Sequence, residues 1–317
     1  MSTTPIRFDG ILFFPVTPFA PTGRVDLDIL AEHVSSRLDW APGGVFPACG
    51  TGEIHALSVD EAASVVATTV EVVAARGGEG RIPVVAGTGG SLGTAIELAR
   101  RAEEAGADAL LVLPPYLVAG PIAGTIAYVE AIAAASDLPV IVYHRGGARY
   151  TPAAVAHLAG NPKVIGFKDG TGDIGLAQEI ALAVRATGRD DFQFFNGLLT
   201  AELTQGAYRA LGMPLYSSAA FAMAPEIAMA HYRAYVSGDE ERRLDLLDAF
   251  YAPLVRLRDQ TPGFGVSLIK TGLRLAGLPV GSVRPPLVDP TDEQTAELAR
   301  ILEVGHAFVA DHAAAPA

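Results

Sequence analysis

The stretch KVIGFKDGTGD, residues 163–173, runs from a short apolar segment into a glycine-rich turn, and an Ala- and Leu-rich segment, 174–186, comes next. A brief apolar run bounded by turn residues reads as a buried strand, and a longer run with helical spacing reads as a helix. The unit is strand, turn and helix, with Lys168 at the end of the strand. The same unit recurs along the chain. Strands are expected at 11–16, 44–48, 82–86, 109–113, 140–143, 164–168, 192–195 and 214–216, and helices follow at positions that include 27–39, 58–75, 92–104 and 122–135. Eight continuous apolar strands alternating with helices suit a parallel sheet covered on its outer face. The fold class expected is therefore α/β, a (β/α)8 TIM barrel, with a doubly wound open sheet as the alternative.

In a barrel, the C-terminal ends of the strands converge on one mouth, where active sites sit. Beyond Gly238 the strand signal stops and helical patterns take over at 240–258, 266–276 and 293–308. The expected division is a barrel over 1–237 and a C-terminal helical extension over 238–317. No Gly/Ser-rich or charged linker separates them, so independent motion is not expected.

Composition narrows the function. Half of the 317 residues are apolar, enough for a large core, and the formal net charge is −12 with no basic block. Nucleic acid and anionic membrane are thus not expected as partners. The opening MSTTPIRFDG lacks the layout of a signal peptide, and no apolar run approaches a bilayer span, so a cytoplasmic location is expected. The single cysteine, Cys49, allows no internal disulfide, and the seven histidines show no metal-ligand spacing, so no metal is expected. Cys49 itself reads as a small buried residue.

Only Lys163, Lys168 and Lys270 among the 23 basic side chains are lysines. A buried lysine loses pKa, and its neutral amine can attack a ketone to give an iminium that accepts electrons; arginine cannot. The other reading of Lys168 is a strand-end lysine reaching solvent, as expected of Lys163. Three further strand ends carry polar or glycine-rich content. In CGTGE, residues 49–53, Gly50 and Gly52 let backbone amides approach an anion and Thr51 adds a hydroxyl, although an ordinary turn also needs glycines. In LPPY, residues 113–116, two prolines aim Tyr116, which could equally be a packing tyrosine. In VIVYHR, residues 140–145, Tyr143 stands one unit before Lys168, so the phenol and the amine come from neighbouring strand ends. Asp169 and Asp173 read as partners of turn and helix-start amides. GTGG at 87–90 lacks the lysine of a phosphate loop.

Taken in order, CGTGE, LPPY, VIVYHR, IGFKDGTGD (165–173), LYSSA (215–219) and SLIKTG (267–272) resemble the dihydrodipicolinate synthase/N-acetylneuraminate lyase superfamily. The resemblance runs from GILFFPVTPF (10–19) to VRPP (283–286), almost the whole chain. It implies a (β/α)8 barrel with a helical extension, a Schiff-base lysine at Lys168 and a catalytic tyrosine at Tyr143. It also implies a substrate-carboxylate loop with Gly50 and Thr51 at its centre. Tyr116 matches a tyrosine that a dimer partner inserts near the catalytic tyrosine, which implies a homodimer or homotetramer. Cys49 departs from the first glycine of the family's GxxGE, and Gly50 replaces a threonine or serine; CGTGE resembles the dehydratase branch. That branch commonly continues Tyr-Asn-Arg and then Asp-Asn, whereas this chain has Tyr143, His144, Arg145, Gly146 and Gly147. The retained Arg145 implies an anchor for a second carboxylate. Ser217 and Ser218 imply hydroxyl donors to a polyhydroxy acid, or else a tight small-residue barrel end.

The activity so implied is a lyase that converts 5-dehydro-4-deoxy-D-glucarate into 2,5-dioxopentanoate, water and carbon dioxide through a lysine Schiff base, without a cofactor. The small-molecule sugar acid is the expected partner. Two alternatives are a class I aldolase that releases pyruvate from a 2-keto-3-deoxy acid by the same iminium, and a non-catalytic barrel that binds a keto acid.

Overall fold

A computed structural model describes residues 6–77 and 82–313. Met1 to Pro5 of the N-terminal stretch read above, and 314–317 of the extension, lie outside the described residues. Eight strands follow one another: β1 (Leu12–Phe13), β2 (Gly44–Val45), β3 (Val85–Gly90), β4 (Ala109–Pro115), β5 (Val140–His144), β6 (Val164–Asp169), β7 (Gln193–Asn196) and β8 (Leu215–Ser218). Every pairing is parallel, in the order β2-β1-β8-β7-β6-β5-β4-β3. A parallel bridge between Val45 and Val84, with Val45 N–H donating to the Pro83 carbonyl at 2.8 Å, joins β2 to β3 and closes the ring. The open-sheet alternative is thereby excluded.

Strand parity organises the interior. Successive side chains of a strand point to opposite faces. Leu12, Phe14, Leu111, Ile141, Tyr143 and Phe195 fill the barrel. Their neighbours Phe13, Leu110, Val112, Val140, Val142 and Phe167 pack outward against the helices. Each such fully buried side chain contributes roughly 1.5–3 kcal/mol. Several of the helices start where a side chain can satisfy their first amides. Asp26, Ser58, Ser91, Thr151 and Asp173 each accept from the third residue onward, and Ser58 with Glu61 forms a reciprocal box.

Boundaries differ from the sequence expectation where backbone contacts decide them. β3 starts later than expected and continues through GTGG, which is strand and not turn. A Cβ at Gly87 would stand 2.1 Å from the Ala48 carbonyl oxygen, so this close approach of β3 to the second strand segment needs glycine. β1 and β2 are shorter than expected, because only two residues of each enter the ladder.

The helix Pro225–Ser237 ends at Gly238, in the left-handed region at φ 76°. After it come Glu240–Leu246, a wide π turn at Leu247–Tyr251, Ala252–Arg258, Phe264–Leu275 and Asp292–Ala313. These form the C-terminal helical extension, and Gly263, Gly265, Val266 and Leu287 reach the mouth of the barrel. Among the described residues no helix is long and apolar enough to cross a membrane.

Candidate active site

Lys168 points into the barrel because it shares the inward face of β6 with Gly166, while Phe167 packs outward. Its side chain is 4% exposed. The amine sits 4.1 Å from the centre of the Phe14 ring and 4.5 Å from that of Tyr143. Among the described residues it has no ion-pair partner. Burial pulls its pKa down to about 7, the Cys49 sulfur opposes this, and Arg145 adds to it. Since burial pushes the Cys49 thiol itself up to about 12, that sulfur carries no charge near neutral pH. Desolvation is then left nearly unopposed, and a substantial share of the amine is neutral.

Tyr143 is opposite Lys168 in the β5–β6 register. Its hydroxyl donates to the Gly197 carbonyl at 2.7 Å and accepts from Arg145 Nη1 at 2.9 Å. Burial raises its pKa and Arg145 opposes the rise, so the phenol is held neutral. Two glycines make room for this pair. A Cβ at Gly197 would stand 2.6 Å from Lys168 Cγ and Cε, and one at Gly170 would stand 2.8 Å from Tyr143 Cε2. Even alanine at either position would drive the ring or the amine out of place.

The departures at 144–147 leave this geometry intact. His144 belongs to the outward face, 1% exposed, where it packs edge-on against Tyr150 and Phe167. Its pKa is lowered by burial, against the pull of Asp169, and it does not line the mouth. Gly146, at φ 56°, and Gly147 form a tight return in which Arg145 and Ala148 exchange backbone hydrogen bonds of 3.2 and 3.0 Å. That turn holds Arg145 over Tyr143. On the outer side Asp169 accepts from Thr171 N, Thr171 Oγ1, Gly172 N and Tyr208 Oη, and Asp173 caps the next helix. Neither aspartate faces the mouth.

A cavity of ≈ 480 Å³ at the C-terminal ends of the strands brings Gly50, Thr51, Tyr143, Arg145, Lys168 and Ser217 together. One residue expected with them is elsewhere. Ser218 faces outward by strand parity, fully buried, and donates to Glu202 Oε1 at 2.5 Å, so its hydroxyl does not reach the cavity. Tyr116 is 70% exposed on a tip with Leu117 and Val118, outside its own chain's cavity. Lys163 reaches solvent as expected, its side chain 37% exposed beside Asp137, and its amine also donates to the Ala133 and Ser136 carbonyls at 3.2 and 2.7 Å, at the end of the helix Ile122–Ala135.

The sequence reading missed Phe14, His55, Gly197 and Thr200, all of which line the cavity. Phe14 alternates with Leu12 inward along the first strand, which was a usable signal. Thr200 offered one only in hindsight of its backbone: it is a β-branched residue at φ 52°, held by Arg258 Nη1 donating to its hydroxyl at 2.8 Å. Among the described residues no cluster of three His, Cys, Asp or Glu could hold a metal ion.

Comparison with known proteins places this geometry. The dihydrodipicolinate synthetase family matches residues 7–304. A protein of Streptomyces griseus subsp. griseus named as a probable 5-dehydro-4-deoxyglucarate dehydratase is 51% identical, over 96% of this chain and 94% of its own. One of Paracidovorax citrulli with the same name is 39% identical, over 94% and 96%. Among solved structures, dihydrodipicolinate synthase from Oceanobacillus iheyensis superposes with a TM-score of 0.86 at 28% identity, covering 95% of this chain and 97% of that one. With the barrel, the inward lysine and a family match that spans nearly all of its length, the chain belongs to the dihydrodipicolinate synthetase family.

Proposed function

We propose that this protein is a decarboxylating dehydratase that converts 5-dehydro-4-deoxy-D-glucarate into 2,5-dioxopentanoate, water and carbon dioxide. The observation that carries the proposal is the buried, unpaired Lys168 amine beside Tyr143, in a cavity that also holds Arg145. Relatives at 48–51% identity bear the name of that activity and supply the substrate class.

Neutral Lys168 attacks the substrate ketone, and loss of one water gives an iminium. Tyr143, bonded to Arg145 and Gly197, carries protons to and from the intermediate. Removal of a proton from the adjacent methylene gives an enamine, whose electrons expel the β-hydroxyl as water. The new double bond is conjugated with the iminium. It accepts the electron pair left when the bond to the distal carboxylate breaks and carbon dioxide leaves. Reprotonation, tautomerisation of the enol to the aldehyde and hydrolysis by one water then free the lysine. One water enters for each that left on iminium formation, so the net yield is one water from dehydration.

Gly50 and Thr51 hold the carboxylate beside the ketone, and Arg145 with Ser217 holds the far end. An arginine there is needed because the substrate is a dianion and the chain's net charge is −12. The exposed apolar tip of Tyr116, Leu117 and Val118 supports a dimer in which Tyr116 completes the neighbouring subunit's site.

Product analysis tests the proposal. One equivalent each of carbon dioxide and 2,5-dioxopentanoate per substrate consumed is expected, with negligible pyruvate. Stoichiometric pyruvate without carbon dioxide would make the protein an aldolase instead.

A further inference from the structure

The loop that carries Gly50 and Thr51 is strained at both ends. Ala48 and Glu53, neither of them glycine, sit at φ 49° and 56°. Left-handed backbone costs a residue with a Cβ roughly 1–2 kcal/mol, and it persists only where surrounding contacts impose it. At the Glu53 end those contacts come from the C-terminal extension. The Glu53 carboxylate is fully buried, with Oε1 2.7 Å from Lys270 Nζ and Oε2 accepting from the Arg284 backbone N–H at 2.9 Å. Lys270 is equally buried; its amine also donates to the Ser282 carbonyl at 3.0 Å and lies 4.0 Å from the centre of the Phe19 ring. The helix that bears it, Phe264–Leu275, is fixed by buried Phe264, Leu268, Ile269 and Leu273. Next along the chain, Arg284 grips both Glu61 oxygens at 2.6 and 2.8 Å and the Ala56 carbonyl at 2.7 Å. Thr17 Oγ1 donates to the Gly52 carbonyl at 2.7 Å from the other side.

We infer that Glu53 and Lys270 are positioning residues for substrate binding: the C-terminal extension, through this buried pair, sets the orientation in which Gly50 and Thr51 present their donors to the carboxylate. Neither side chain lines the cavity. A buried ion pair that served stability alone could be replaced by apolar side chains of similar size with little loss. This carboxylate does something an apolar group cannot, since each of its oxygens engages a different point of the extension and so fixes a direction as well as a depth. The inference rests on the proposed role of the loop in holding the carboxylate beside the ketone.

Glu53→Asp keeps the charge and shortens the reach by one methylene. The expected result is a KM for 5-dehydro-4-deoxyglucarate raised about tenfold, with kcat changed by less than about threefold. Glu53→Gln keeps the length but offers one acceptor oxygen and a donor amide where the carboxylate offered two acceptors, so one of the two contacts is lost and KM is expected to rise about as far. Should Glu53→Asp fail to fold, the double variant Glu53→Met/Lys270→Met serves, because its apolar pair preserves the core while removing the directional tether. It too is expected to raise KM at an unchanged melting temperature. A folded variant of either kind with the parent's KM, or with reduced kcat and unmoved KM, overturns the inference. Thr51→Val measured alongside separates the two levels. If it raises KM while the Glu53 variants do not, the inference alone fails; if none of them does, the role of the loop fails with it.

Discussion

Lys168 and Lys270 occupy two regions built from similar materials and put to different ends. Both amines are buried, each lies about 4 Å from a phenylalanine ring, and burial lowers both pKa values. The difference is one carboxylate. Lys270, in the shell between barrel and extension, faces Glu53 at 2.7 Å, and that charge pulls its pKa back to about 8. Lys168, inside the barrel mouth, faces a neutral thiol, a neutral phenol and a second cation, and its pKa settles at about 7. A buried lysine with its counter-ion is architecture; a buried lysine without one is stored reactivity. An unpaired buried amine is costly, and this one opens onto the cavity at the barrel mouth, where the proposed chemistry needs it.

The comparison predicts stability changes of opposite sign. Lys270→Met strands the Glu53 carboxylate in the core and should destabilise the protein by about 3–5 kcal/mol in denaturant titration. Lys168→Met should instead stabilise it at pH 7, on the order of 2–4 kcal/mol, while abolishing turnover. If both substitutions destabilised alike, the distinction between paired and unpaired amines would collapse.

That second effect depends on pH in a defined direction. The folded pKa of Lys168 lies below the ordinary 10.5, so between about 7 and 10.5 the unfolded chain holds a proton that the folded chain has released. Parent stability from this source therefore rises with pH across the window, and the burial penalty is complete below about 7 and gone above 10.5. The advantage of Lys168→Met should shrink accordingly as pH rises. A smaller effect is kinetic. The proposed nucleophile is the neutral amine, so kcat/KM should fall about tenfold per unit as pH drops below about 7 and level off above it. An acid limb centred near pH 10 would show that Lys168 is not perturbed as its surroundings require.

Much of the fold was legible because each strand is a continuous apolar run and each helix a separate periodic one. Length and parity were less so. β1 and β2 contribute two ladder residues each, a limit set by their neighbours and not by their own composition. GTGG reads as a turn until Gly87 is seen against the Ala48 carbonyl. At the mouth, the convergence of Lys168, Tyr143, Arg145, Gly50, Thr51 and Ser217 followed from strand ends in a barrel, whatever the role of each. Ser218 did not follow, because a pair of adjacent serines carries no mark of which one faces inward. His144 departs from the branch's pattern at a strand end, and parity sends it outward, away from the cavity. The Glu53–Lys270 pair joins residues so distant in sequence that neither advertises the other; Lys270 gave only its rarity as a signal.

The central claim is that Lys168, alone among the three lysines, forms an iminium with a keto acid. It is tested most directly by adding borohydride to the protein in the presence of pyruvate or 5-dehydro-4-deoxyglucarate, followed by peptide mass spectrometry. The account predicts a reduced adduct on the peptide containing Lys168, proportional to the activity lost and absent from Lys168→Arg. An adduct found only on Lys163 or Lys270, or full turnover with no trappable adduct, would contradict it.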